Sequence, residues 1–309
     1  MNDVLVKPAI KLNRNNKKDY PLLLKRVLTA VVLAPCAIAA IFYLSLQNFA
    51  WLLFVLIGLG AWEWGPLMGI TSKGKRMLFS LSNVVLLGLL FSFMPIDQLW
   101  TPEGNIAANA KIVLWIASIW WLLSAFLTFV YPKCSAFWSS HRSVRGVFGW
   151  LTLVPAGFAL MIIRSVDYSS DPYHGAQLMM FLFGLVWSAD IGAYFVGKSI
   201  GKHKLMPNVS PGKTLEGFVG GVVSACLLVV AVGYVLEWNS TQFTQVLLVT
   251  MLITTISVLG DLNESMFKRQ AGVKDSGSIL PGHGGILDRI DSLTSTAPVF
   301  ALCYIFIGW

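Results

Sequence analysis

Long apolar runs separated by short polar stretches make up most of the chain. A helix rising 1.5 Å per residue needs about 20 apolar residues to cross a bilayer. Nine runs meet that length, near 27–46, 49–70, 77–95, 112–131, 146–163, 176–197, 217–236, 243–261 and 292–309. They lack the period-two alternation of a membrane β-barrel. Several contain Pro or Gly, which membrane helices tolerate when neighbours satisfy the freed backbone groups. The pattern predicts an all-α, polytopic integral membrane protein with about nine transmembrane helices and no internal repeat.

Composition agrees. The 309 residues are 56% hydrophobic and 12% charged, against about 25% charge in soluble domains. Cys36, Cys134, Cys226 and Cys303 form no Cys-x-x-Cys pair and read as small core residues. The first apolar run follows a long polar lead and is too long for a secretory signal, so it reads as a retained anchor. With the N-terminus in the cytoplasm, the cytoplasmic segments are the tail and the connections after the second, fourth, sixth and eighth runs. They hold 21 of the 23 Lys and Arg residues; only Lys111 and Arg164 fall outside. The outer connections carry Asp97, Glu103, Asp167, Asp171 and Glu237 instead. This bias sets orientation. It assigns the net charge of +8 to topology and anionic headgroups rather than to nucleic acid. The expected organisation is a basic cytoplasmic tail at 1–26, membrane helices over 27–135, and a catalytic membrane region over 136–309 with cytoplasmic loops at 198–216 and 262–291.

Three acids fall within apolar runs, where a charge is costly and marks a function or a partner. Glu63, Asp190 and Asp261 all lie toward the cytoplasmic side. A transporter gathers such groups near the midplane between repeats, so their placement favours chemistry between a cytosolic solute and a membrane lipid. Glu63 has a simpler alternative in snorkelling or pairing with a basic neighbour, and Asp190 in a hydrogen bond within the bundle.

Asp261, Glu264, Ser265 and Lys268 are spaced to form one stripe if the eighth helix continues that far. Asp288 and Asp291 share a face at the start of the ninth helix. Carboxylates gathered this closely call for a cation, and all-oxygen donors suit Mg²⁺, which also binds substrate phosphates. Lys268, Arg269, Lys274 and Arg289 stand around them, and Lys202, Lys204 and Lys213 lie on the preceding cytoplasmic loop. Ser210 before Pro211 predicts a helix start, Ser as cap and Pro in the first turn. Two helix N-termini then face the cytoplasm, where they bind phosphate. The stretch "PNVSPGKT" imitates a P-loop, but Pro207 stands where Gly is required and no strand is expected before it. His283 lies in a Gly-rich turn, as either a local hydrogen bonder or a ligand contact. Together these residues predict phosphoryl or nucleotidyl transfer on a polyphosphate at the inner face.

The run "SMFKRQAGVKDSGSILPGHGGILDRID", Ser265 to Asp291, resembles the signature of phosphatidate cytidylyltransferases: S-x-x-K-R, four residues, K-D, then H-G-G-x-x-D-R-x-D, with every position filled. "SADIGAYFVGKSIGKHKLMPNVSPGKTLEGFVGG" and "GDLNESMFKR" also look like this family, and "AWEWGPL" resembles its bacterial members. The resemblance implies transfer of CMP from CTP to phosphatidate, with Mg²⁺ and a second, monovalent cation such as K⁺. It implies metal ligands at Asp261, Asp288 and Asp291, and catalytic roles for Lys268, Arg269, Asp288 and Asp291. Substrate contacts fall at Ser210, Lys213, Ser265, Lys274, Asp275, His283 and Arg289. Asp190 stands behind these residues or at the lipid entrance. The family further implies CTP, phosphatidate and membrane lipid as partners, a homodimer, and a bacterial inner membrane with a cytoplasmic active face. On physics alone, the rival is another membrane transferase acting on a polyprenyl or other lipid phosphate.

Overall fold

The computed structural model describes residues 19–101, 104–280, 282 and 284–308, the side chains of 19–28 and 30 excepted. His283 and the tail lysines and arginine before residue 19 therefore lie outside the described residues, as does Glu103.

The chain folds as a helical bundle. Its helices are α1 (Asp19–Tyr43), α2 (Leu46–Leu67), α3 (Lys73–Phe93), α4 (Ala108–Val130), the short α5 (Ser135–Ser139), α6 (Arg142–Arg164), α7 (His174–Ile200), α8 (Leu215–Val235), α9 (Ser240–Gln270) and α10 (Leu287–Ile307). Among the described residues, eight are long and apolar enough to cross a membrane, and α1 adds a shorter apolar portion, Val31–Tyr43. The protein is a polytopic membrane protein, as the apolar runs predict. Val, Leu, Ile and Phe side chains along α3, α4 and α8 are exposed among the described residues and suit a lipid surrounding.

Helix α6 occupies the middle, touching α2, α3, α4, α7 and α10. Several buried polar groups find partners within the bundle, which hydrocarbon cannot supply. Trp120 donates its indole N–H to Thr152 Oγ1 at 3.0 Å, and Trp121 to the Thr294 carbonyl at 3.1 Å. Arg164, one of the two basic residues outside the cytoplasmic set, is buried and donates to the carbonyls of Ile41, Leu44 and Pro172. It fastens the ends of α1 and α6 to the start of α7.

Between α7 and α8 the chain departs from expectation. Ser210 does not start a helix. Residues Lys204–Met206 (β1) and Ser210–Thr214 (β2) pair as an antiparallel hairpin. Thr214 is the true cap, its hydroxyl accepting the Gly217 N–H at 3.1 Å, and α8 begins at Leu215. Proline fits a two-stranded ribbon because every strand there is an edge, where its missing N–H costs no ladder bond. A strand, β1, does precede "PNVSPGKT", as half of this hairpin.

Helix α9 fulfils the condition set on the polar stripe. Its 31 residues span about 46 Å, beyond the roughly 30 Å hydrocarbon core, so its last turns can carry charge. Asn239 and Gln242 form a capping box at its start. Gly272, at φ +73°, ends it: the Val273 N–H reaches back to the Lys268 carbonyl at 2.9 Å, a left-handed closure that glycine adopts readily.

Candidate functional site

Three elements meet at one end of the bundle: the last turns of α9, the first turns of α10, and the hairpin. Helices α9 and α10 come close because Gly260 has no side chain; a Cβ there would meet the Ser295 hydroxyl and lie 3.0 Å from the Asp291 carbonyl. Phe267 anchors the end of α9 in an aromatic cluster, with ring centroids 5.0 Å from Trp64 and 5.2 Å from Trp138. The next residue, Lys268, lies about 100° further round the helix and reaches into the site.

The Lys268 ammonium donates to Asp288 Oδ1 at 2.7 Å and stands 3.4 Å from Glu264 Oε1. All three side chains are at most 10% exposed. Neither oxygen of Glu264 accepts a hydrogen bond; its neighbours in the cluster are the Lys268 ammonium and the Asp291 carboxyl. Asp288 is held further by the N–H groups of Ser276, at 3.1 Å, and Gly285, at 2.8 Å. Asp291 has Asp261 as a charged neighbour and Glu264 beside it. Asp261 receives Lys213 Nζ at 2.6 Å and lies near the Ser265 hydroxyl at 3.4 Å. Asp190 faces this group from α7, with Lys213, Asp261 and Arg289 as its charged neighbours. Five carboxyl groups thus converge on three cationic side chains.

A cleft of about 370 Å³ adjoins the cluster between α7, α8 and the hairpin, lined by Asp190, Tyr194, Lys198, Lys213 and Thr214 among others. The two helices that flank it touch through glycines: a Cβ on Gly221 would lie 2.7 Å from the Ala189 carbonyl, and one on Gly217 2.9 Å from that of Ala193.

Most of the expected site residues come together. Asp190, Lys213, Asp261, Ser265, Lys268, Asp288, Arg289 and Asp291 belong to this one cluster. Arg269 is engaged elsewhere: it donates to the Val209 carbonyl at 3.2 Å and the Val273 carbonyl at 3.4 Å, tying the hairpin to the end of α9. Ser210 sits on β2 rather than on a helix cap. Lys274 and Asp275 are exposed on the loop before α10. Two carboxylates carry more than the sequence reading gave them. Glu264 was visible as part of the stripe, but its burial was not. Glu63 was visible as an intramembrane acid, but its partners lie more than 200 residues away.

The donor chemistry suits a hard cation such as Mg²⁺: carboxylates gather, and buried Glu264 has oxygens that no hydrogen bond satisfies. Among the described residues, however, no three Asp, Glu, His or Cys groups are disposed as a metal site. Lys213 and Lys268 hold the carboxylates that were expected to need a metal between them, so the chain itself supplies cations to the cluster.

A profile of the cytidylyltransferase family matches residues 24–307. A phosphatidate cytidylyltransferase of Haemophilus influenzae is 39% identical over 93% of this chain and 100% of its own length. The chain belongs to the phosphatidate cytidylyltransferase family. The enzyme of that name from Pseudomonas aeruginosa is also 39% identical, over 93% of this chain and 99% of its own. One from Staphylococcus aureus is 42% identical over 50% of this chain and 61% of its own. The first two relatives cover both halves of the bundle, so family membership extends to the first helices, where the sequence offered one short motif.

Proposed function

We propose that the chain is a phosphatidate cytidylyltransferase, converting CTP and phosphatidate to CDP-diacylglycerol and pyrophosphate in phospholipid biosynthesis. The observation that carries this reading is the carboxylate and lysine cluster at one end of the bundle, beside a cleft between membrane helices. A water-soluble triphosphate and a lipid phosphate can both reach such a place.

Phosphatidate is ionised at neutral pH, so its phosphate oxygen is already a nucleophile. It attacks the α-phosphorus of CTP; the bond to the bridging oxygen breaks, and pyrophosphate leaves with the electron pair. No general base is required. The barrier comes from bringing two anions together and from the charge on the leaving group. Lys213 and Lys268 are the fixed cations nearest the reacting groups, and Arg289 adds a third. Their ion pairs with Asp261 and Asp288 aim the ammonium groups before substrate arrives. Substrate phosphates then compete with the carboxylates for these cations. Asp190 borders both cluster and cleft, a position suited to orienting the lipid headgroup. Asp261, Asp288 and Asp291 are paired with lysines or apart from one another here; they are the carboxylates that would hold Mg²⁺ once substrate phosphates draw those lysines away, and the ion would supply charge neutralisation on the triphosphate. The basic bias of the connections supports an active face toward the cytoplasm, and the bacterial relatives support the inner membrane.

The test is detergent-purified protein with phosphatidate and Mg²⁺, given each of the four NTPs in turn, while pyrophosphate and lipid product are followed. Pyrophosphate with CTP alone, matched by CDP-diacylglycerol, is expected. Turnover of a polyprenyl phosphate in place of phosphatidate would overturn the substrate assignment. Folded protein inactive with every nucleotide would overturn the reaction.

A further inference from the structure

The reacting groups come from the second half of the chain, yet their loop is fastened by a residue of the first. Glu63, on α2, is 1% exposed. Its Oε2 accepts the Leu287 N–H at 2.8 Å, with the Ser276 hydroxyl at 3.5 Å. Leu287 is the first residue of α10, and its N–H is one of the donors a helix start leaves unpaired. A carboxylate there also meets the positive end of the helix dipole. The loop closes tightly around it: a Cβ on Gly277 would collide with Oε1, and one on Gly285 would lie 2.5 Å from Oε2.

Ser276 and Gly285, which pack on Glu63, are also the two residues whose N–H groups hold Asp288. One short stretch of backbone is therefore clasped between two carboxylates, with Glu63 on its bundle side and Asp288 on its site side. Without the inner one, Asp288 would still pair with Lys268, but the amides that orient it would be free to drift.

We propose that Glu63 is a positioning residue for the transfer reaction: it fastens Ser276 and Leu287 to α2, so that the Ser276 and Gly285 amides present Asp288 beside Lys268. This rests on the reading of Asp288 as a site residue. It also gives the first helices a part in catalysis, since α2 carries the lock.

The experiment pairs hydrogen exchange with kinetics on full-length protein in detergent. Glu63→Ala is expected to speed amide exchange at 276–280 and 284–287 while leaving α7 and α8 as in wild type. It is expected to lower kcat on the order of a hundredfold, the scale of a small misplacement of reacting groups. Glu63→Gln keeps an acceptor for Leu287 and should retain most of both the protection and kcat. Gly277→Ala, which keeps the carboxylate but crowds the loop off it, should repeat the Glu63→Ala pattern. Unchanged exchange at 276–280 and 284–287 in both Glu63→Ala and Gly277→Ala would overturn the proposal, and so would a loosened loop with undiminished kcat. The exchange arm reads the lock even if wild-type protein fails to turn over CTP, so failure of the enzyme assignment and failure of the lock are separate results.

Discussion

Lys268 is the residue on which the cluster balances. It is the ammonium closest to two buried carboxylates, and one of them, Glu264, accepts no hydrogen bond. Removing one partner of a buried ion pair costs about 3–5 kcal/mol, because the remaining charge is left uncompensated. Lys268→Met should therefore lower the unfolding temperature in detergent as well as abolish turnover. Adding Glu264→Gln should recover part of the stability and none of the activity. A double variant no more stable than the single one would show that Glu264 is not a charge Lys268 has to balance. Asp288→Asn is the converse case: Glu264 still stands beside Lys268 and the amide oxygen can still accept on one side of the side chain, so the protein should remain folded, at a lowered unfolding temperature, while CDP-diacylglycerol formation is lost. Wild-type-like turnover would remove Asp288 from the reacting set. The sequence showed that these residue types recur at helical spacing. It did not show that Lys268 spans from α9 to α10, because that pairing joins residues 20 apart across a loop whose course the spacing leaves open.

At the scale of elements, the site depends on how closely helices approach. Gly260 lets α9 reach α10, bringing Asp261 and Glu264 to Asp291. Gly260→Val would press on Ser295 and the Asp291 backbone, and overpacking of this kind costs about 1–3 kcal/mol. Purified Gly260→Val should lose turnover by more than its modest fall in unfolding temperature explains, because it separates carboxylates that must act together. Gly74→Ala, at a position with no neighbour closer than 4.0 Å, should change neither. The hairpin illustrates the limit of local signals. Ser before Pro is a sound helix-start cue, yet β1 pairing, a contact between separate stretches of chain, decides the conformation of β2. The arginine expected among the phosphates, Arg269, instead ties that hairpin to α9.

At the scale of the whole molecule, the charge bias predicts one functional face. The loop before α10 and the turn before α7 should lie on opposite sides of the membrane. With the native cysteines replaced by serine, Ser169→Cys should react with an impermeant maleimide in intact bacterial cells. Ser278→Cys should react only after permeabilisation. Both positions are exposed in the folded chain, so accessibility reports sidedness. Labelling of both from outside would contradict the topology and place the carboxylate cluster on the wrong face for cytosolic CTP.

The sequence by itself determined the helical membrane architecture, and it set the expectations for the polarity of the two faces and for the segments bearing the chemistry. These follow from properties summed along a chain: apolar length against bilayer thickness, lysine and arginine against sidedness, carboxylate spacing against helical pitch. Only the tertiary structure decided which charges neutralise one another, that Lys213 and Lys268 stand among the acids, and that Glu63 clasps a loop more than 200 residues distant. Ion pairing and hydrogen bonding act over a few ångströms in space. Distance along the sequence does not encode that proximity until the helices have packed.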